Sequence, residues 1–155
     1  MRSGKKHKPL ATEIHGGAGR METETKIAIE TVTDIVAARQ RARDLACAVG
    51  FSPSESTVLA AVISELARNI VLYAKSGEVS LQTVDNGARR GLIIVASDNG
   101  PGISDVQRAL MGGYSTSGGL GLGLCGVKRI VDELDIDSKV GRGTTITAKK
   151  WQCRE

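Results

Sequence analysis

Apolar residues in the first third of the chain recur at two spacings, which predict a strand followed by a helix. Residues 26–30 alternate between polar and apolar side chains, as in a strand with one buried face. From Thr33 or Asp34, either of which can cap a helix, apolar residues then follow at helical spacing as far as Val49. Gly50 is a typical helix stop. The pattern therefore predicts a first strand and a first helix within residues 26–49.

A second helix has the clearest start signal in the sequence. Ser52 can act as N-cap, Pro53 suits the first helical position, and Glu55 completes a capping box three residues after the serine. Apolar residues continue at helical spacing, and we expect the helix to reach Tyr73 or Ala74.

The remainder of the chain predicts four further strands and two further helices. Strands are expected at 78–84, 92–97, 134–137 and 144–151, a short helix at 105–110 and a longer one at 122–131. Residues 112–119 are polar and glycine-rich, and we expect a mobile lid there. The prediction is an α+β two-layer sandwich, in which a mixed sheet of about five strands is covered by three main helices.

Composition adds a division of the chain into a basic tail and a single domain. The chain has 155 residues and a net charge of +4. The first 20 residues account for all of that excess, so the rest is neutral and nucleic-acid binding would depend on the tail alone. We expect residues 1–23 to form a flexible tail and residues 24–155 to form one domain.

Cysteine usage and hydropathy bear on location. Three cysteines without metal-ligand spacing, and two histidines that both lie in the tail, favour a reducing compartment and no zinc site. We find neither a signal peptide nor an apolar run that approaches a membrane span in length, so a cytoplasmic protein without membrane contact is expected.

Two polar residues interrupt the apolar stripe of the second predicted helix. Glu65 and Asn69 are four residues apart and therefore project from the same face. Burying either side chain without a partner would cost about 1–3 kcal/mol. The pair could form structural hydrogen bonds to a loop, or it could form a metal and phosphate site; the helix alone leaves both open.

Two glycine clusters indicate a nucleotide site. Asp98 ends a predicted buried strand, where its carboxylate could accept a hydrogen bond, and Gly100 and Gly102 flank Pro101 in the turn that follows. The second cluster, residues 118–126, leads into a helix start. Backbone N–H groups and the helix dipole at such a start favour an anion.

Other nucleotide motifs fit poorly. The letters of a dinucleotide fingerprint occur at Gly121, Gly123 and Gly126, but that motif needs a strand directly before it, and a glycine-rich loop is predicted there. The chain contains no P-loop and lacks the protein-kinase signature set.

Four motifs taken in order carry a resemblance to a known superfamily. Residues 65–69, 98–102, 119–123 and 143–144 resemble the N, G1 and G2 boxes and the closing Gly-Thr of the GHKL ATPases and kinases, which share the Bergerat fold. Residues 64–69 and 113–124 resemble, more narrowly, the RsbT-type switch serine/threonine kinases of the stressosome. These are relatives of the RsbW and SpoIIAB anti-sigma-factor kinases.

The resemblance implies a role for each matching residue. Asn69 would coordinate Mg²⁺ on the phosphates of ATP, Asp98 would bind the adenine amino group, and Glu65 would be the general base. Arg68 would contact phosphate or a partner, unless it forms only a surface ion pair. The remaining implied contacts are Gly100 and Gly102 around the adenine, Thr144 at the pocket floor, and the amides of Gly119, Gly121 and Gly123 on the phosphates.

The resemblance also implies partners. The leading hypothesis is an ATP-dependent protein serine/threonine kinase that phosphorylates a STAS-domain antagonist and is thereby released to activate a PP2C-type phosphatase. The alternative is an anti-sigma factor or ATP-gated adaptor with little kinase activity. A dinucleotide-binding oxidoreductase fragment would require a strand directly before Gly121.

Overall fold

A computed structural model describes residues 24–111 and 123–153. The strands are β1 Thr25–Ile29, β2 Gly77–Asp85, β3 Arg90–Asp98, β4 Glu133–Lys139 and β5 Gly143–Trp151. The helices are α1 Val32–Val49, α2 Pro53–Asn69 with a π-helical continuation over Ile70–Ala74, α3 Val106–Met111 and α4 Gly123–Ile130. The predicted basic tail and the whole of the predicted lid lie outside the described residues.

The five strands form one sheet in the order β1-β2-β3-β5-β4. Every neighbouring pair is antiparallel, which corrects the mixed sheet expected from the sequence. The reason is the position of β5, which lies between β3 and β4, so two strands that run in the same direction never become neighbours. The two-layer α+β class is confirmed.

The core lies between one face of the sheet and the paired helices α1 and α2. Alternate residues of β3 point into it, and in α1 a stripe of alanines lets the two helices approach closely. The largest fully buried side chains are Ile29, Leu59, Ile63, Leu66, Ile70, Leu81, Leu92, Ile94, Val62, Val79 and Val127.

The start of α1 differs by two or three residues from the prediction. Thr31 is the N-cap, and Asp34 is the third helical residue, whose carboxylate accepts hydrogen bonds from the backbone N–H groups of Glu30 and Thr31. Asp34 therefore belongs to the cap without being the cap residue. Gly50 ends the helix with φ at 92°, as expected.

The first turn of α2 also forms a hydrogen bond with the segment that follows β5. Ser52 and Glu55 form the predicted capping box, and Glu55 accepts a second backbone hydrogen bond, from Cys153, at 2.7 Å. Burial would raise the pKa of Glu55, but the backbone donors at Cys153 and Ser52 outweigh it and lower the pKa to about 2. This carboxylate thus ties the segment after β5 to α2.

By length and composition alone, the continuous helix Pro53–Ala74 could cross a membrane, with a mean hydropathy of 1.4 over its most apolar stretch. The sequence expectation that no apolar run approaches that length therefore does not hold. In the structure, Leu59, Ile63, Leu66 and Ile70 of this helix are fully buried in the core. Such burial is typical of a core helix in a folded domain.

Candidate functional site

Helix α2 carries two of the predicted site residues at its C-terminal end. Glu65 and Asn69 are both half-buried, and the flanking Leu66 and Ile70 are fixed in the core. Neither polar side chain has a hydrogen bond or ion pair with the described part of the chain. Within the described residues, therefore, the structural hydrogen bond that the sequence left open is not present.

The helix changes its winding directly after Asn69. Ile70–Ala74 is π-helical, and Lys75, which follows, has φ at 71° although it is not a glycine. Single π-helical turns within α-helices are frequent at functional sites. Here the turn places Ala74 against the loop after β3. The contact is close, since a Cβ atom added to Gly100 would lie 2.6 Å from the Cβ of Ala74.

A row of paired residues crosses the sheet at the end of β3. Gly77, Asp98, Thr144 and Ser138 are direct partners on β2, β3, β5 and β4, so their side-chain positions share the face that carries the helices. At Gly77 a side chain would overlap the carbonyl oxygen of Ser97 and press on Ile70. The glycine thus leaves room for the half-buried Asp98 carboxylate.

Asp98 uses one carboxylate oxygen inside the protein. Its Oδ1 accepts a hydrogen bond from the backbone N–H of Gly100 at 2.9 Å, which closes the turn after the strand. Oδ2 has no hydrogen-bond partner among the described residues. The geometry leaves that oxygen free to accept a hydrogen bond from a ligand.

The loop after Asp98 is held by the β4–β5 hairpin. Ile103 donates its backbone N–H to Ser138 Oγ at 2.8 Å, and Gly141 donates to the carbonyl of Pro101 at 2.8 Å. Gly102 has φ at 78°, and a Cβ atom there would overlap the carbonyl oxygen of Lys139. The glycines around Pro101 therefore permit close packing of the loop on both the hairpin and the π-helical turn.

The closing Gly-Thr pair of the sequence motif lies beside Asp98. Gly143 has φ at 113°, and a Cβ atom there would overlap the carbonyl oxygen of Asp98. Thr144 is buried, with 8% of its surface exposed, and its Oγ1 lies 2.8 Å from Ser138 Oγ. These contacts place the two distant motifs in one site.

The phosphate-binding cluster is only partly described. Gly123 is the first residue of α4, with φ at 55° and open space where a Cβ would lie. Gly119 and Gly121 lie outside the described residues. Arg68 is exposed and forms no ion pair with the described part of the chain, so the surface ion pair that the sequence left open is not seen there.

A cavity of about 220 Å³ opens beside Asp98 and Thr144 at this edge of the sheet. It is lined by Asp98, Asn99, Asp137, Lys139, Arg142, Gly143, Thr144 and Thr145. A larger cavity of about 370 Å³ lies at the other end of β3, beside the β2–β3 hairpin, and contains none of the predicted site residues. Because the smaller cavity is lined by Asp98 and Thr144, we assign the site to the Asp98 end of β3. Glu65, Asn69, Gly100 and Gly102 are not among the residues that line this cavity.

The described residues fit a magnesium nucleotide. The amide oxygen of Asn69 is a hard oxygen ligand of the kind Mg²⁺ prefers, and it is not engaged within the described chain. The glycines of the loop let its backbone pack closely beside Asp98, and Asp98 Oδ2 has no hydrogen-bond partner among the described residues. Together the fold and these groups define an ATP-binding domain of the Bergerat type.

Comparison with known proteins gives the same class. A family model for the histidine kinase-, DNA gyrase B- and HSP90-like ATPases matches residues 54–153, and the chain belongs to this family. It is 47% identical over 131 residues to the serine/threonine-protein kinase RsbT of Bacillus subtilis (strain 168), covering 84% of this chain and 98% of RsbT. The resemblance drawn from the motifs, and with it the protein serine/threonine kinase class, is confirmed.

More distant relatives are anti-sigma F factors. The protein of Clostridium kluyveri is 28% identical over 102 residues, which cover 62% of this chain and 70% of that protein. The protein of Geobacillus stearothermophilus is 28% identical over 109 residues, covering 65% and 73%. The chain is thus similar both to a serine/threonine-protein kinase and, more weakly, to anti-sigma F factors.

Three features of the site were missed from the sequence. Ser138, Gly77 and Ala74 contact or adjoin the predicted residues, yet each belongs to a segment without a motif. For Gly77, an isolated glycine at the start of a strand pattern was a usable signal of close backbone approach. Ser138 and Ala74 gave no such signal, because their roles depend on strand register and on the π-helical turn.

Proposed function

We propose that this kinase transfers the γ-phosphoryl group of Mg-ATP to a serine or threonine hydroxyl of a protein antagonist. The observation that carries the proposal is the pair of half-buried side chains at Glu65 and Asn69, which have no partner among the described residues. They lie on the helix that contacts the loop after Asp98 through Ala74. Successive helical turns separate the two side chains by about 6 Å, which suits a base and a metal ligand around one phosphate.

Each residue would then have a separate task. Asn69 would hold Mg²⁺, which supplies charge neutralisation on the phosphates. Asp98 would accept a hydrogen bond from the adenine amino group through Oδ2, with Gly100 and Gly102 forming the adjoining surface and Thr144 the floor. We assign the phosphate oxygens to the amides of Gly119, Gly121 and Gly123, with Arg68 as a further contact to phosphate or partner.

Glu65 would act as general base in the transfer. The acceptor hydroxyl oxygen forms the new bond to the γ-phosphorus as the bond to the bridging oxygen of ADP breaks, and the hydroxyl proton passes to the Glu65 carboxylate. Phosphoryl transfer depends mainly on positioning and charge stabilisation, so a base on a rigid core helix is well suited to it.

For the partners we propose a STAS-domain antagonist as substrate and a PP2C-type phosphatase as the protein activated after release, in a stressosome or sigma-factor pathway. The support is the 47% identity to RsbT over nearly all of that protein. A cytoplasmic location and the absence of nucleic-acid or membrane partners are part of the same proposal.

The test is label transfer from γ-labelled ATP, with Mg²⁺, to purified STAS-domain proteins of the same organism. We expect label on one of them with the parent chain, and a loss of at least about a hundredfold in rate with Glu65→Gln, since a positioned base contributes about 10²–10⁴. The matched control is Glu78→Gln, which neutralises an exposed glutamate on the opposite face of the sheet.

Two results would count against the proposal. Transfer at the parent rate by Glu65→Gln would remove Glu65 as the base. Magnesium-dependent ATP binding without transfer to any STAS-domain candidate would refute the proposal that such a protein is the substrate. The proposed nucleotide site would still be supported by that result.

The second candidate function is an anti-sigma factor or ATP-gated adaptor, favoured by the similarity to the anti-sigma F factors. In that case ATP-dependent binding of a sigma factor should survive Glu65→Gln. Failure to retain any sigma factor of the organism, with or without ATP, would exclude it.

A further inference from the structure

Ser138 of β4 lies at the centre of a hydrogen-bond chain beside the proposed adenine pocket. Its Oγ accepts the backbone N–H of Ile103 at 2.8 Å, lies 2.8 Å from Thr144 Oγ1, and lies 3.3 Å from the carbonyl oxygen of Gly143. Ser138, Thr144 and Asp98 are consecutive partners across three strands and share one face of the sheet.

The hydrogen bonds at Ser138 run in one direction from donor to acceptor. The backbone N–H of Ile103 can only donate, so Ser138 Oγ must accept there. The hydroxyl proton of Ser138 then has two acceptors within reach, and the nearer is Thr144 Oγ1, at 2.8 Å against 3.3 Å for the Gly143 carbonyl. When Thr144 accepts that proton, its own hydroxyl proton is free to point into the pocket.

We infer that Ser138 is a positioning and specificity-determining residue, which fixes the Thr144 hydroxyl as a hydrogen-bond donor to the base of the nucleotide. The inference rests on the proposed nucleotide site. Asp98 Oδ2 then offers an acceptor and Thr144 offers a donor, directly or through one water molecule.

An acceptor beside a donor is complementary to one purine edge. Adenine presents an amino donor at N6 and an acceptor at N1, whereas guanine presents an acceptor at O6 and a donor at N1. Thr144 as donor therefore favours adenine and opposes guanine. A hydroxyl free to rotate would lose this discrimination, since it could accept from guanine N1 as readily as it donates to adenine N1.

Ser138 also holds the loop after β3 in place against the β4–β5 hairpin. Its bond to Ile103 and the bond from Gly141 to Pro101 hold residues 99–103 against the β4–β5 hairpin. Because Gly100 in this loop donates to Asp98 Oδ1, the same anchor orients the carboxylate. Removing the Ser138 hydroxyl should disturb both base-recognising groups and leave the phosphate contacts unchanged.

The experiment is calorimetric titration of the full chain with Mg-ATP and with Mg-GTP. We expect Ser138→Ala to weaken ATP binding about tenfold, since the half-buried N–H of Ile103 loses its acceptor, while GTP affinity changes by less than about twofold. Ser138→Thr keeps the hydroxyl and should restore the ATP preference. The control is Ser97→Ala, which removes a cross-strand hydroxyl contact to Thr145, one residue along on the opposite face.

The outcomes are distinct. Equal losses for ATP and GTP would show a merely structural role and would overturn the inference, as would an unchanged ATP preference in Ser138→Ala. If Ser138→Ala does not fold, Ser138→Cys, in which a weakly accepting thiol replaces the hydroxyl, is measured by the same criteria. A parent chain that binds no ATP would overturn the proposed function and this inference with it.

Discussion

Two glycines, one in the loop after β3 and one in the β4–β5 hairpin that supports it, have nearly the same backbone conformation but very different surroundings. Gly102 has φ at 78° and Gly141 has φ at 80°. A Cβ atom on Gly102 would overlap the carbonyl oxygen of Lys139 and crowd the backbone N of Val140, whereas one on Gly141 would meet nothing within 4 Å. Alanine at the two positions therefore separates backbone strain from steric displacement.

The expected magnitudes follow from that difference. An alanine in the left-handed region costs about 1–2 kcal/mol, and the reduced entropy of the unfolded chain offsets about 0.4–1 kcal/mol of this. Gly141→Ala should thus lower the free energy of unfolding by about 1 kcal/mol. Gly102→Ala carries the same strain and adds overpacking against backbone atoms, which costs about 1–3 kcal/mol more.

The displacement should also reach the nucleotide. The loop can relieve the overlap only by moving away from the hairpin, which stretches the bond from Ile103 to Ser138 and the bond from Gly141 to Pro101. We expect Gly102→Ala to weaken Mg-ATP binding about tenfold or more. Gly141→Ala should bind ATP as the parent does.

The assay is urea unfolding of both variants, followed by ATP titration under native conditions. Equal free energies of unfolding for the two variants, or parent-like ATP affinity in Gly102→Ala, would refute the argument that this loop must pack closely on Lys139 in order to form the site. An unchanged slope of free energy against urea is required for the comparison.

Three further predictions concern single side chains. Asn69→Ala should abolish the gain in nucleotide affinity produced by Mg²⁺, and a retained magnesium effect in a titration would remove Asn69 as the ligand. Asp98→Asn should reduce the preference for ATP over GTP, because an amide group that donates can replace the accepting oxygen; competition binding measures it. Folding lowers the pKa of the Glu55 carboxyl group from 4.5 to about 2. The ionised carboxylate therefore stabilises the fold fully above pH 4.5, and this stabilisation is lost as the pH falls from 4.5 to about 2. Glu55→Gln should therefore flatten the rise of unfolding free energy with pH in that window, and a parent-like slope in acid unfolding would contradict the role of the bonds from Cys153 and Ser52.

Signals that act over three or four residues were predicted well from the sequence. The capping box of Ser52 and Glu55, the stop at Gly50 and the alternation in β2 depend on local hydrogen bonds and on one buried face. The motifs carrying Asp98 and Thr144 could likewise be recognised, since their glycines mark backbone shapes that few other residues adopt.

Contacts between distant segments could not be predicted from the same signals. The row from Gly77 to Ser138 depends on which residues of four strands become partners, and a shift of one residue would turn each side chain to the opposite face. The antiparallel pairing of the whole sheet depends on β5 lying between β3 and β4. Local sequence patterns therefore could not predict the hydrogen bonds at Ser138 or the antiparallel pairing of all neighbouring strands.

The two halves of the proposed site meet where the π-helical turn contacts the loop after β3. Glu65 and Asn69 belong to a helix that packs on the sheet through the core, and Asp98 belongs to the sheet. The contact of Ala74 with Gly100 adds a second connection between them, next to the site itself. In a regular α-helix each residue is rotated by about 100° from the residue before it. The wider π-helical turn over Ile70–Ala74 changes this rotation, and with it the position at which Ala74 contacts the loop. A shift of that loop on nucleotide binding would therefore be transmitted through Ala74 to the end of the helix that carries the proposed base.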